Sequence, residues 1–263
     1  MEFESTIQST IILLHAAPQH RHSSSGLQSF INSVFRIPNS ELDMTAVLFS
    51  AGLDSAVLLA SEAVHGSVQP IYISEGFAWE AAERAAARRL LETPPFRHVR
   101  EPAWLTLDVT DVYPASHWAL KGTPPAYDTP DAEVYLVGRN VLLLSKAAVF
   151  CATRRIQRLA IGPLAGNPFP DATRGFFAAM AEALTLGLDQ PIQIAAPLAE
   201  MHKADVIKKG HALGVPLELT LSCMNPRDGR HCGACSKCRE RQHAFRDAEI
   251  ADPTAYLLHP EGN

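Results

Sequence analysis

The chain has 263 residues, 47% of them hydrophobic and 19% charged, with a formal net charge of -5. That length suits one large α/β domain with an appendage, or two small domains, with ample apolar material for a core. The acidic balance disfavours a protein that coats nucleic acid, and no apolar run reaches the length of a membrane span. Cysteine is sparse outside one cluster, which suits metal binding in a reducing cytoplasm better than a disulfide framework.

Residues 1–43 differ in character from the rest of the chain. Ile7 to Ala17 is moderately apolar and the polar PQHRHSSSG comes next, but the apolar stretch is short and no Lys or Arg precedes it. A signal peptide therefore fits poorly. The expectation is a poorly ordered N-terminal extension, with an arm packed on the domain as the competing reading.

Thr45 to Ser50 reads as a buried strand, apolar and β-branched. The turn Ser50-Ala51-Gly52-Leu53-Asp54-Ser55 comes after it, and Ala56 to Ala60 resumes as a helix that Asp54 or Ser55 is placed to cap. Free N–H groups and the positive end of a helix dipole would converge there, enough to hold an anion of pyrophosphate size. The turn lacks the lysine of a GxxxxGKS loop. Any doubly wound protein can also carry such a turn without that role.

Further along, Gln69 to Ile73 is the second strand, Ser74-Glu75-Gly76 its exit turn, and Ala78 to Leu91 a helix rich in Ala, Arg and Glu. Phe96 to Val99 and Leu105 to Val109 read as short strands. Thr110 to Val134 carries four prolines and reads as a lid or binding loop. Gly138-Arg139-Asn140 opens the most apolar helix, Val141 to Cys151. Arg139 could grip a phosphate or carboxylate with two N–H groups, or merely pair with an acid at the surface.

Leu159 to Gly162 is the next strand, and the turn-rich Pro163 to Thr173 leaves its carboxyl end, where doubly wound sheets bind ligands. Phe176 to Leu186 is helical, Ile192 to Ala195 a late strand, and Lys203 to Leu213 an amphipathic helix ending at Gly214. Strands alternating with helices indicate an α/β fold with a doubly wound, mostly parallel sheet.

Cys223, Cys232, Cys235 and Cys238 lie in the spacing C-x8-C-x2-C-x2-C, among Arg227, Arg230, His231, Lys237 and Arg239. Four thiolates satisfy a tetrahedral Zn²⁺ completely, so the spacing points to a structural zinc. An iron–sulfur cluster is the main rival metal and a redox dithiol a lesser one. His231 reads as a hydrogen-bonding neighbour of the ligands, and Cys151 as a small buried hydrophobe.

The hexapeptide Ser50–Ser55 resembles the SGGxDS pyrophosphate loop of the N-type ATP pyrophosphatases, with Ala51 at a position usually held by glycine. Together with GRN and LLLS between Gly138 and Ser145, and C-x8-CGxCxxCxxR followed by Ala244-Phe245, it resembles the 7-cyano-7-deazaguanine synthases. APL at Ala196–Leu198, KADVIKKG at Lys203–Gly210 and LGV at Leu213–Val215 extend the likeness, which runs from Met44 to Phe245.

The resemblance implies a pyrophosphatase-loop domain over residues 44–221 and a zinc-binding C-terminal segment with a helix over residues 222–263. ATP with Mg²⁺ would adenylate 7-carboxy-7-deazaguanine, and ammonia would convert it to the amide and then the nitrile. It also implies that Ser50, Ala51, Gly52, Leu53, Asp54 and Ser55 hold the pyrophosphate, Asp54 through Mg²⁺. Gly138, Arg139, Asn140, Gly162 and Lys203 would complete the nucleotide site, with Ser50, Asp54, Ser55, Arg139 and Lys203 carrying the chemistry. The four cysteines match the family's zinc ligands.

Two stretches depart from the family: Ile73 to Trp79, which lacks the FDYGQ pattern, and the loop GNPFPDAT. Both leave strand ends, so Glu75, Phe77 and Trp79 with Asn167, Phe169 and Asp171 are expected to bind the acceptor, Phe169 against a flat purine and Asp171 accepting from its N–H groups. These departures leave other readings open: an enzyme that stops at the amide or serves another amine, a tRNA thiolase-like enzyme, or a zinc-bearing module without turnover. The reading expects small-molecule partners in the cytoplasm, no membrane, no nucleic acid, and admits a homodimer.

Overall fold

The computed structural model describes residues 44–258, so the expected N-terminal extension lies outside the described residues. Five strands form one parallel sheet in the order β3-β2-β1-β4-β5. They are β1 (Thr45–Leu48), β2 (Val68–Ser74), β3 (Ala103–Thr106), β4 (Arg158–Ala160) and β5 (Gln193–Ala195). In the central strand, Thr45 pairs with Val68 on one side and with Arg158 on the other. The order reverses beside β1, and in such sheets the crevice outside the strands' carboxyl ends at that reversal is the ligand site.

Side-chain alternation along β1 separates two cores. Ala46 and Leu48 join Ile71, Ile73, Leu159 and Ile161 beneath α4 (Arg139–Ala152) and α5 (Arg174–Leu188). Val47 and Phe49 face the opposite side with α1 (Leu53–Ala63) and α6 (Lys203–Ala212). Burial on both faces explains why β1 is a continuous apolar run. Gly210 lets α6 approach α1: a Cβ there would stand 2.6 Å from a Val57 methyl.

The remaining helices are α2 (Glu80–Leu91), the short α3 (Trp118–Lys121) and α7 (Ser236–Asp247). The first turn of α2 is acidic and its last turn basic, which complements the helix dipole.

Three local expectations are corrected. Phe96–Val99 is not a strand: Pro94–Phe96 is a 3₁₀ turn, because two successive prolines fix φ and offer no N–H to a ladder. The edge strand lies at Ala103–Thr106, earlier than Leu105–Val109. And α1 starts at Leu53 rather than Ala56, with Gly52 at the N-cap and neither Asp54 nor Ser55 in that role. No described helix is long and apolar enough to cross a membrane.

Candidate active site and cysteine cluster

The turn after β1 is held by its own small side chains. The Ser50 N–H donates to Ser55 Oγ (3.2 Å), the Gly52 N–H to Ser50 Oγ (3.4 Å), and Ser55 Oγ–H to the Gly52 carbonyl (3.0 Å). Ala51 is fully buried with φ +61°, a left-handed conformation in which glycine is at ease and alanine is strained. Its carbonyl accepts the Leu221 N–H at 2.9 Å, which fastens the loop to the segment leading into Cys223. Because α1 has no side-chain cap, its first N–H groups remain available to an anion.

Beside that turn runs a chain of alternating charges. Lys203 Nζ, at the start of α6, lies 2.9 Å from Asp54 Oδ2 and 2.7 Å from Glu240 Oε1, and Lys237 lies 2.6 Å from Glu240 Oε2. Burial alone would discharge the lysine, but Asp54 and Glu240 outweigh it and hold Lys203 firmly protonated. Glu240 shows the converse: burial pushes it up, and the two lysines pull it down to about 2. An ammonium has three donors, so Lys203 keeps one beyond these two bonds. Asp54 Oδ1 is buried with no hydrogen-bond partner, an acceptor open to a cation or a donor.

Arg139 opens α4, whose N-cap Gly138 has φ +75°. Its Nη2 and Nε lie 2.7 and 2.9 Å from Glu75 Oε2, and its guanidinium rests over the Phe77 ring at 5.5 Å. Glu75 is 1% exposed. Arg139 therefore pairs with an acid, as the plainer reading had it, but the acid is buried rather than at the surface.

Most of these residues border one cavity of about 440 Å³. Of the expected nucleotide set, Ser50, Gly52, Leu53, Asp54, Ser55, Arg139, Asn140, Gly162 and Lys203 line it, as do Asn167, Phe169 and Asp171. Ala51 and Gly138 shape the walls through their backbones without lining it. Glu75 and Phe77, expected as acceptor contacts, do not line it either: both sit against Arg139.

Phe169 stacks on Tyr135, with centroids 4.9 Å apart and planes 21° apart. Asp171 Oδ2 accepts the Asn140 N–H at 3.0 Å, while its buried Oδ1 has no partner. Asp171 thus closes the first turn of α4, and Thr173 caps α5, accepting from Phe176 N at 3.2 Å.

Trp79, expected at the acceptor pocket, lines the cavity, while several other lining residues escaped the sequence reading: Tyr72, Glu83, Trp118, Tyr135, Lys237 and Glu240. A carboxylate within a helix or a Lys/Glu pair beside a cysteine motif carries no local signature of a shared cavity.

The four cysteines converge: their Sγ atoms all lie within 4.8 Å of one another. Cys232 and Cys238 are 3.8 Å apart and Cys235 and Cys238 3.5 Å. Backbone N–H groups of Asn225 and Cys232 point at Cys223 Sγ at 3.3 and 3.2 Å, and that of Ala234 at Cys232 Sγ at 3.4 Å, as suits thiolates. This donor set could hold a metal ion.

His231 is no competitor for it, since its Nε2 accepts the Ser222 N–H at 3.0 Å. Burial, with Arg241 nearby, pushes the imidazole down to about 3, so it stays neutral. Arg241 is fully buried and ties the cluster together through Thr254 Oγ1, Thr220 Oγ1, Ser222 Oγ and the Leu217 carbonyl. Cys151 lies apart on the core-facing side of α4, where burial pushes its thiol up to about 12.

Among solved structures, the U34-tRNA thiolase NcsA from Methanococcus maripaludis, with its [4Fe-4S] cluster, aligns over 87% of this chain and 80% of its own, at a TM-score of 0.44 and 13% identity. A 7-cyano-7-deazaguanine synthase of Methanopyrus kandleri is 34% identical over 230 residues, covering 81% of this chain and 98% of that protein. The synthase of an Azoarcus species is 34% identical over 233 residues, covering 82% and 98%. The family described as "Queuosine biosynthesis protein QueC" matches residues 44–249, the span that contains the turn Ser50–Ser55, the cavity and all four cysteines, and the chain belongs to that family of 7-cyano-7-deazaguanine synthases.

Proposed function

We propose that the protein uses ATP to adenylate 7-carboxy-7-deazaguanine and converts the acyl adenylate with ammonia to the amide, then by a second adenylation to the nitrile. AMP and pyrophosphate are released. The observation that carries this reading is the juxtaposition, in one cavity, of the Asp54–Lys203 pair at the phosphate turn with the aromatic wall and free carboxylate oxygen at Phe169 and Asp171.

A carboxylate is a poor acyl donor until its oxygen is made into a leaving group. The protein then has mainly to neutralise charge and align the partners. The turn Ser50–Ser55 and the first turn of α1 hold the pyrophosphate, with the spare donor of Lys203 on a phosphoryl oxygen and Arg139 spreading positive charge along the same wall. Asp54 Oδ1 suits the Mg²⁺ that accompanies ATP. A flat deazapurine stacks on the Tyr135–Phe169 wall, with Asp171 Oδ1 accepting from an amino or ring N–H. A ligand without such a donor would leave that buried oxygen unpaired.

Zinc suits the cysteine site. A Zn–S bond of about 2.3 Å implies tetrahedral S···S edges of about 3.8 Å, close to the spacing between Cys232 and Cys238. A cubane cluster places its own atoms among the sulfurs and needs them farther apart. With four thiolates the ion has no open position, so its role is to hold this segment folded.

A second reading, in which the enzyme stops at the amide or serves a different amine, is supported by Trp79 and Trp118 stacked at the cavity wall beyond β2, where the chain leaves its family's pattern. Mass spectrometry after incubation with ATP, Mg²⁺, ammonia and 7-carboxy-7-deazaguanine tests both: nitrile with AMP and pyrophosphate supports the first, and amide alone the second. ADP and phosphate as stoichiometric products would refute adenylation.

A further inference from the structure

Asp54, Glu83, Asp131, Asp171 and Glu240 are the carboxylates that line the cavity. All but Glu83 have charged or helix-end partners. Asp54 and Glu240 share Lys203, Asp131 faces Arg239 at 3.6 Å, and Asp171 closes α4. Glu83 makes no ion pair among the described residues; its Oε2 accepts the Tyr72 hydroxyl at 3.2 Å.

It lies one helical turn beyond Trp79, whose carbonyl takes the Glu83 N–H at 3.1 Å, and Trp79 stacks on Trp118 at 5.7 Å. Tyr72, Trp79 and Trp118 all border the cavity with it. An unpaired carboxylate beside aromatic rings is a setting that draws a small cation.

Resting on the adenylation reading above, we propose that Glu83 binds ammonium at this corner of the cavity and serves as the general base of the amination step. Ammonium gives one proton to the Glu83 carboxylate. The ammonia so formed attacks the acyl carbon, the new C–N bond forms, and the bond from that carbon to the phosphate oxygen breaks, with its electron pair leaving on AMP. The nitrogen's surplus proton passes to water.

The groups around Glu83 are compatible with this use. Burial pushes its carboxyl up to about 7, Arg139 on α4 and the Tyr72 hydroxyl on β2 pull it down, and Glu80 and Glu75 push it further up. A base near neutrality takes a proton and gives it back readily.

The test separates the two half-reactions. In Glu83→Gln, exchange of labelled pyrophosphate into ATP, driven by the deazapurine acid, persists. Amide formation from ammonium chloride at neutral pH falls about 100-fold and recovers in proportion to free ammonia as the pH is raised. Tyr72→Phe keeps exchange and moves the acid limb of amide formation to higher pH, because the hydrogen bond it removes favours the carboxylate. Exchange and amidation lost together in both variants, or amidation by Glu83→Gln equal to that of the unaltered protein, would overturn the assignment. Absence of exchange in the unaltered protein would remove the adenylation function itself, and the assignment with it.

Discussion

Ala51 stores strain where the anion would sit. A left-handed alanine costs about 1–2 kcal/mol, and a glycine in its place gives back roughly 0.5–1 kcal/mol through the unfolded chain. Ala51→Gly should therefore raise the urea midpoint slightly, by about 0.5 kcal/mol in stability. Ala51→Val, a branched residue at a fully buried site, should lower it by several times that amount. Equilibrium denaturation of the pair tests the strain directly.

Glu83 predicts a second effect on stability. Its carboxyl is raised from 4.5 to about 7 in the folded state, so between those values the native protein binds more protons than the unfolded chain. Stability should fall as pH rises through that window, by up to about 3 kcal/mol before solvent screening. Glu83→Gln should flatten the slope and be the more stable protein at pH 8, which thermal melts across pH would show.

At this scale the sequence was legible wherever partners are neighbours: Ser50, Gly52 and Ser55 bond one another within six positions. Glu75, Glu83 and Glu240 were not, because each owes its role to a residue or wall from another part of the chain.

Among the elements, α7 does two things at once. Cys235 and Cys238 place it on the cysteine site, and Glu240 on the same turns grips Lys203 while Lys237 pairs with its other oxygen. The segment Thr110–Val134 is tied to it as well: Ala126 bridges Cys235, and Arg239 donates to the Thr129 carbonyl at 3.0 Å. Metal removal by a chelator should accordingly weaken ATP binding by about tenfold or more, one lost charge-assisted contact, before global unfolding. Calorimetric titration of the chelated protein, with metal content measured alongside, checks this; unchanged ATP affinity at zero metal would contradict it.

Gly233 guards the same element. It has φ +79°, and a Cβ would stand 1.8 Å from the Leu258 carbonyl oxygen. Gly233→Ala should cost about 3 kcal/mol or more, combining strain and overpacking, and should release metal at a lower chelator concentration than the unaltered protein does.

Element by element, the long periodic segments were readable because burial on one or two faces dictates their pattern. The edge strand lay a few residues early, and the other errors fell at Phe96–Val99 and at the start of α1. There a proline pair and a backbone cap overrule the run of apolar residues.

For the molecule as a whole, the strand order sets the cavity beside β1, between helices that belong to different faces of the sheet. The alternation of strands and helices made that architecture legible, but not which loops would meet over it. If nucleotide and deazapurine share this one space, each should stabilise the whole domain. At one hundred times its dissociation constant a ligand adds about 2.7 kcal/mol, or roughly 5–10 °C in Tm. Asp54→Asn should abolish the shift caused by Mg-ATP and keep the one caused by 7-carboxy-7-deazaguanine. Loss of both would mean that the two ligands do not occupy separate ends of the cavity.

The hydrogen bond from Leu221 to the Ala51 carbonyl, and the grip of Glu240 on Lys203, have a bearing on biosynthesis. Chains emerge amino terminus first, so the phosphate turn leaves the ribosome long before the cysteines that brace it. A nascent chain ending after α6 would carry the turn and the lysine with neither the Leu221 tether nor the Glu240 anchor. Translation that stops early should therefore yield polypeptides unable to spend ATP, and consumption of the nucleotide would begin only once the last helix has been made and its metal acquired.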